Sequence, residues 1–154
     1  VNLVPVRKSN ADYGELVEQL MPMAAAFYTL FEYDYREAHH RAMIDAFAGD
    51  AAIGSLWLIA HGSAYVGYVA LSNVFTFEFG GRVGLIDELF ILPSFRGQGL
   101  GGDVVRELQH RMPSLGLCAL HLQTEHDNPR AQSLYESLGF KTLPRATLAF
   151  VPVV

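Results

Sequence analysis

A long, mostly apolar segment, Val83–Leu92, stops at Pro93 and gives way to Arg96-Gly97-Gln98-Gly99-Leu100-Gly101-Gly102. No other part of the chain restricts its fold so severely. The segment reads as a central strand, ended by a proline that has no N–H for a sheet ladder. The glycines open a helix whose buried stripe is Leu100, Val104, Val105, Leu108 and Met112, at helical spacing. Leu115–Thr124 then reads as another strand. A strand–helix–strand crossover of this kind calls for parallel pairing.

Around this unit the pattern predicts a strand at Asn2–Arg7 and a helix from Tyr13 to Phe31 that Pro22 should kink or split. A second helix is expected over Tyr35–Phe47, ending near Gly49. Two strands, Ser55–Ala60 and Tyr65–Thr76, are joined by the turn His61-Gly62-Ser63. Asn128-Pro129 is an N-cap and first-turn pair. The helix it opens ends at Gly139, and Phe140–Pro144 and Ala146–Val153 read as closing strands. Hairpins in the first half call for antiparallel pairing. The expected fold is therefore mixed α/β, with a mostly antiparallel central sheet and helices on both faces.

The sequence of 154 residues corresponds in length to one domain, 1–154. A hydrophobic fraction of 51% against 18% charged residues supports a real core. The net charge of −5 argues against nucleic acid or an anionic membrane and favours cationic partners. One cysteine, Cys118, cannot form an internal disulfide, which with no visible targeting or membrane-spanning segment points to the cytoplasm.

Backbone N–H groups in a tight glycine turn form a concavity for anions, aided by the helix behind it. A Walker loop is excluded, because no Lys-Ser or Lys-Thr follows the glycines. Gly97, Gly99 and Gly102 satisfy the dinucleotide pattern, with Glu125 as the candidate ribose acid. Against that pattern stand the residues between strand and loop, and the short chain that follows. A glycine loop that only turns the chain is the plainest alternative.

The stretch from Ile86 to Gly101, with Arg96, Gly99 and Gly101 in R-x-x-G-x-G, resembles the acetyl-CoA motif of the GNAT superfamily of N-acetyltransferases. Asn128, Ala131, Tyr135 and Gly139-Phe140 resemble that family's second signature. The two stand in the family's order, with one helix and one strand between them. The resemblance implies acetyl-CoA as cosubstrate and transfer of its acetyl group to a primary amine by direct attack in a ternary complex. A non-catalytic acyl-CoA sensor is the alternative.

By the same resemblance, the backbone amides of Gly97, Gln98, Gly99, Leu100 and Gly101 hold the pyrophosphate, and Arg96 is a cofactor-binding residue of the same motif. Leu89, Phe90 and Ile91 offer a strand edge to the pantetheine arm, and the Leu89 amide faces the acetyl oxygen. Asn128 hydrogen-bonds pantetheine, and Tyr135 returns a proton to the leaving thiolate. From spacing alone, Tyr135 could equally be a space-filling residue on a buried stripe.

An alkylammonium at neutral pH must lose a proton before it can attack. Asp87 and Glu88 are the candidate bases, and strand alternation points them to opposite faces, so only one can line a given site. Salt-bridged or solvated carboxylates are the alternative role. Glu78, Glu125 and the Glu32/Asp34/Glu37 group are further candidates for meeting a cation.

Six histidines include no ligand spacing: His39 and His40 are adjacent, and His61, His110, His121 and His126 are scattered, so no metal is expected. Cys118 reads as a buried strand residue. The acceptor is expected to be a small-molecule amine or a peptide, met by Tyr28–His40, Val74–Arg82 and the tail near Arg145. Phe27, Phe31, Tyr33, Tyr35, Phe75 and Phe77 would give it an aromatic pocket. A homodimer is common among similar proteins.

Overall fold

Residues 1–124 and 128–152 are described by the computed structural model of the chain, and they fall into two units, Val1–Gln123 and Thr124–Val154. The first contains β1 (Asn2–Pro5), α1 (Tyr13–Leu30), α2 (Glu37–Gly49), β2 (Gly54–His61), β3 (Ala64–Thr76), β4 (Gly81–Ile91), α3 (Leu100–Leu115) and β5 (Ala119–Leu122). A short 3-10 turn, Pro93–Phe95, follows β4. The second unit contains α4 (Pro129–Ser137).

The strands form one sheet in the order β1-β2-β3-β4-β5. The first three pairings are antiparallel, and β4 pairs with β5 in parallel. The mixed, mostly antiparallel sheet read from the pattern is thus the observed one. One sheet face packs Leu56, Leu58, Tyr68, Ala70 and Phe90 against Leu16, Leu20, Met23 and Ala24 of α1 and Ile44 of α2. On the crossover side, α3 packs against β4 and β5, with Val104, Val105 and Leu108 fully buried. Loss of a buried leucine such as Leu108 to alanine costs about 2–5 kcal/mol.

α1 is continuous through Pro22, where a kink or break was expected. Pro22 lies on the exposed face between buried Met21 and Met23, so water can satisfy the Glu18 carbonyl that loses its partner while packing holds the axis. The helix closes through Glu32, whose φ of 57° is left-handed. Tyr33 N–H bonds to the Tyr28 carbonyl at 2.9 Å and Glu32 N–H to Thr29 at 3.3 Å, the paired bonds of a Schellman cap. Glycine is favoured at that position, and glutamate there is strained.

The expected closing strands are absent among the described residues: Phe140–Pro144 and 146–152 are irregular. A strand must hand its backbone groups to a neighbour, and the second unit holds no described strand with which to pair. The end of the Ala146–Val153 expectation, at Val153, lies outside the described residues. Cys118 also departs from expectation. Gly116 caps α3 in the left-handed region and delays β5 to Ala119, leaving Cys118 exposed with its Sγ donating to the Arg82 carbonyl at 3.1 Å.

Candidate active site

Within the first unit, β5 accompanies β4 only as far as the pair Ile86↔Leu122. From Asp87 onward, the β4 edge turned away from β3 has no strand neighbour among the described residues. Leu92 N–H bonds to the Val66 carbonyl at 2.8 Å, which makes 66/92, 68/90 and 70/88 the hydrogen-bonded pairs of the β3–β4 ladder. Phe90 therefore spends its peptide groups on β3, and its ring is buried in the core. Leu89 and Ile91 turn theirs to the open edge. The Ile91 carbonyl there accepts from Arg96 Nε at 2.8 Å, and the Arg96 guanidinium lies 5.4 Å from the Phe90 ring centroid. Arg96 thus ties the glycine turn to the end of the strand.

The turn itself is exposed from Arg96 to Gly99 and ends at Leu100, buried at the head of α3. Gly97 and Gly99 have φ of 77° and 80°, a region that side chains disfavour. At Gly97, Gly99 and Gly101 an added Cβ would meet no atom within 4 Å. The turn is therefore an open concavity of backbone amides at the start of a helix, and a pyrophosphate fits that donor set.

Asp87 and Glu88 part company through a β-bulge. The register passes from Ala70↔Glu88 to Leu71↔Ile86, leaving Asp87 as the extra residue, exposed to solvent. Uninterrupted alternation would place Glu88 on the Ile86 face. The bulge turns it instead to the face carrying Tyr68 and Phe90, beneath α1. There Glu88 Oε2 accepts from the Tyr68 hydroxyl at 2.7 Å.

Burial drives the Glu88 carboxyl above the ordinary glutamate range, and the Asp87 charge adds to this. The Tyr68 hydrogen bond, the Tyr28 hydroxyl and the His40 charge pull it back. Burial and Glu88 together push the Tyr28 hydroxyl up to about 12, and they raise Tyr68 as well. Both phenols therefore remain donors at neutral pH, and the carboxylate is left as a shielded acceptor.

Aromatic rings enclose this acceptor. Phe27 meets Tyr68 and Phe90 at centroid distances of 6.3 Å each, and Tyr28 meets Tyr33 and Tyr35 at 5.8 and 6.2 Å. Phe31 and Tyr33 stack at 5.7 Å on the exposed rim. Phe75 and Phe77 do not join them. They lie at the hairpin end of β4, about 20 Å along the strand from Glu88 at ~3.3 Å per residue, and Phe77 is 96% exposed. Asp34 is paired with Arg36 at 3.3 Å.

In the second unit, Asn128 caps α4, its side-chain oxygen accepting from Ala131 N–H at 3.1 Å. Tyr135 is half-buried against Phe140, with centroids 5.9 Å apart, and burial raises its hydroxyl pKa. Glu125 and His126 lie outside the described residues. Among the described residues, no three His, Cys, Asp or Glu side chains converge as metal ligands, and no helix is long and apolar enough to cross a membrane. A cleft of about 530 Å³ between the β1 end and α2 is lined by neither the glycine turn nor Glu88.

Reading the residues alone missed Tyr68 as a member of the site, and placed Tyr28 and His40 only as the bounds of the acceptor-facing stretch Tyr28–His40. Tyr68 carried a usable signal: a phenol in the middle of an apolar strand needs a buried partner for its hydroxyl.

Comparison with known proteins bears on the same segments. The sequence profile of the Acetyltransferase (GNAT) family matches residues 19–140. The chain is 32% identical over 126 residues to a Bacillus subtilis (strain 168) protein, "Uncharacterized N-acetyltransferase YhfO", covering 77% of this chain and 83% of that protein. It is 30% identical over 66 residues to the Thialysine N-epsilon-acetyltransferase of Bos taurus, covering 43% of this chain and 39% of that protein. Among solved structures, the Integron Cassette Protein HFX_CASS3 from the mobile metagenome of Cole Harbour Salt Marsh superposes with a TM-score of 0.79. That match has 28% identity and covers 92% of this chain and 87% of the other.

Proposed function

This chain belongs to the acetyltransferase (GNAT) family and is an acyltransferase; we propose that it moves an acetyl group from acetyl-CoA to a primary amine by direct attack within a ternary complex. The observation that carries the reading is the juxtaposition, on one strand, of a half-buried carboxylate and an open peptide edge that leads into the glycine turn. Acetyl-CoA, the family's cosubstrate, supplies an activated thioester when bound. In this reading the backbone of residues 96–101 holds its pyrophosphate, and the β4 edge at Leu89–Ile91 takes the pantetheine arm as an added strand. The Leu89 amide polarises the carbonyl and stabilises its developing negative charge.

Glu88 is the base. Its raised affinity for a proton, held in check by the Tyr68 donor and the Tyr28 hydroxyl, suits acceptance from an ammonium near neutral pH. Asp87, the exposed bulge residue, contributes negative charge rather than proton transfer. Tyr135 is assigned the return of a proton to the thiolate, on its place seven residues after Asn128 and on a hydroxyl that stays protonated at working pH. Asn128 is assigned the pantetheine hydrogen bond. The family match spans 19–140 and so crosses both units, which supports treating 1–154 as one catalytic domain.

The acceptor class follows from the acids and aromatic rings at the α1 end, which favour a small cationic amine. The relative named for thialysine supports an amine nitrogen. The test is thiol release from acetyl-CoA across a panel of diamines, amino-acid derivatives, aminoglycosides and peptides. The reading expects thiol release with at least one amine class and formation of the acetylated amine. No release with any amine in a protein that binds acetyl-CoA would contradict it and favour an acyl-CoA sensor.

A further inference from the structure

At the end of α1, Phe31 and Tyr33 are 40% and 51% exposed and stack with centroids 5.7 Å apart. Glu32 stands between them in the chain, in the left-handed region at a φ of 57°. Three backbone bonds fix this segment on the helix. Phe31 N–H donates to the Phe27 carbonyl at 3.2 Å, Glu32 N–H to Thr29 at 3.3 Å and Tyr33 N–H to Tyr28 at 2.9 Å.

The other acids of the segment are matched by cations. Asp34 is paired with Arg36 at 3.3 Å, and Glu37 with Arg41 at 3.5 Å. Among the described residues, the Glu32 carboxylate has neither an ion pair nor a hydrogen bond. α1 also carries no basic residue in its last turn, so the negative end of the helix dipole has no cation there. A bare carboxylate, a helix C-terminus and two exposed rings all favour the same ligand, a positive charge. Stability does not account for the acid, because glycine would take this φ without strain. Strain kept in a native fold points to a role.

A wall of rings leads from this rim to the base. Phe31 packs on half-buried Phe27 at 4.8 Å, and Tyr33 on half-buried Tyr28 at 5.8 Å. Phe27 meets buried Tyr68 at 6.3 Å, and the Tyr68 hydroxyl donates to Glu88 at 2.7 Å. We infer that Glu32 and the Phe31–Tyr33 rings form a subsite for a second positive charge, so that the preferred acceptor is a diamine. One nitrogen reacts at Glu88, the methylene chain lies along the rings, and the far ammonium is held at the rim. The inference rests on the reading of the chain as an amine acetyltransferase with Glu88 as base, and it names the substrate class of that site. Glu32 determines specificity and takes no part in the proton step.

The test compares kcat/KM for α,ω-diamines, from diaminopropane to diaminooctane, with the alkyl monoamine of the same length. An exposed ion pair and an exposed cation–π contact are each weak, so the best diamine should exceed its monoamine by about five- to thirtyfold. The ratio should peak at one length and fall as sodium chloride is added, because an exposed pair is screened. Glu32→Gln should lower the ratio about three- to fivefold, through KM rather than kcat. Glu32→Gly should lower it as much while raising the thermal midpoint, which separates recognition from a structural role.

A ratio near one at every length, or one that both Glu32 variants leave intact, would overturn the inference. Binding is also read without turnover, by titrating diaminopentane and pentylamine into the protein while the ring signals of Phe31 and Tyr33 are followed by NMR. The diamine should move them more than the monoamine does, and less in Glu32→Gln. If no amine releases thiol, the acetyl-transfer reading fails by itself, and these signals still decide the subsite: equal shifts with both amines would remove it.

Discussion

Glu88 is held above its ordinary pKa first by burial and then by the Asp87 charge, so the folded protein binds its proton more tightly than the unfolded chain does. The stability this confers is complete below the ordinary glutamate value of 4.5. It is lost as pH rises through the raised folded value. Denaturant titrations of the wild type should record that fall across the window, and Glu88→Gln should not. Above the window the variant should be at least as stable as the wild type, while its kcat/KM drops by about 10²–10⁴-fold, the usual worth of a general base. A variant less stable than the wild type at every pH would contradict the assignment of burial as the dominant influence. Alternation alone separates Asp87 from Glu88, but it cannot say which of them is shielded. That outcome depends on a bulge, and a bulge leaves no mark in the run Leu85-Ile86-Asp87-Glu88-Leu89. The partners of Glu88 were equally hidden: Tyr28 and Tyr68 are 40 residues apart in sequence, each on an apolar stripe that by itself reads as core.

At the scale of elements, α1 runs unbroken through a proline and ends on a left-handed glutamate, and packing overrides both local preferences. Replacing exposed Pro22 with alanine restores the N–H for the Glu18 carbonyl without disturbing Met21 or Met23. It should raise unfolding free energy by about 1–3 kcal/mol, with activity unchanged. A decrease in chemical denaturation would show that the proline sets a helix direction that the core requires. Element order and the glycine turn were legible because they depend on period and on glycine chemistry, both local. One boundary moved for an equally local reason, Gly116 capping α3 and postponing β5, whereas α2 ends at Gly49 as its glycine signalled. The closing strands were misread because the apolar alternation of Ala146–Val153 promises a partner that local sequence cannot supply. Leu148, Phe150 and Val151 are instead 93%, 91% and 79% exposed.

At the scale of the whole molecule, an open strand edge, a glycine turn and a shielded carboxylate lie in the first unit, and a capped helix bearing Tyr135 lies in the second. The roles proposed for the first three rest on acetyl-CoA docking along β4 and across the turn. Gly101 offers the cleanest probe of that docking. It is helical rather than left-handed, and a Cβ added there meets no atom within 4 Å, so Gly101→Leu should fold as the wild type does. The most direct measurement is calorimetric titration of the wild type and of Gly101→Leu with acetyl-CoA. The account predicts one site in the wild type and an affinity at least about tenfold weaker in the variant, a difference of ~1.4 kcal/mol, at unchanged thermal stability. Equal affinities, or a folded wild type that does not bind acetyl-CoA at all, would contradict it.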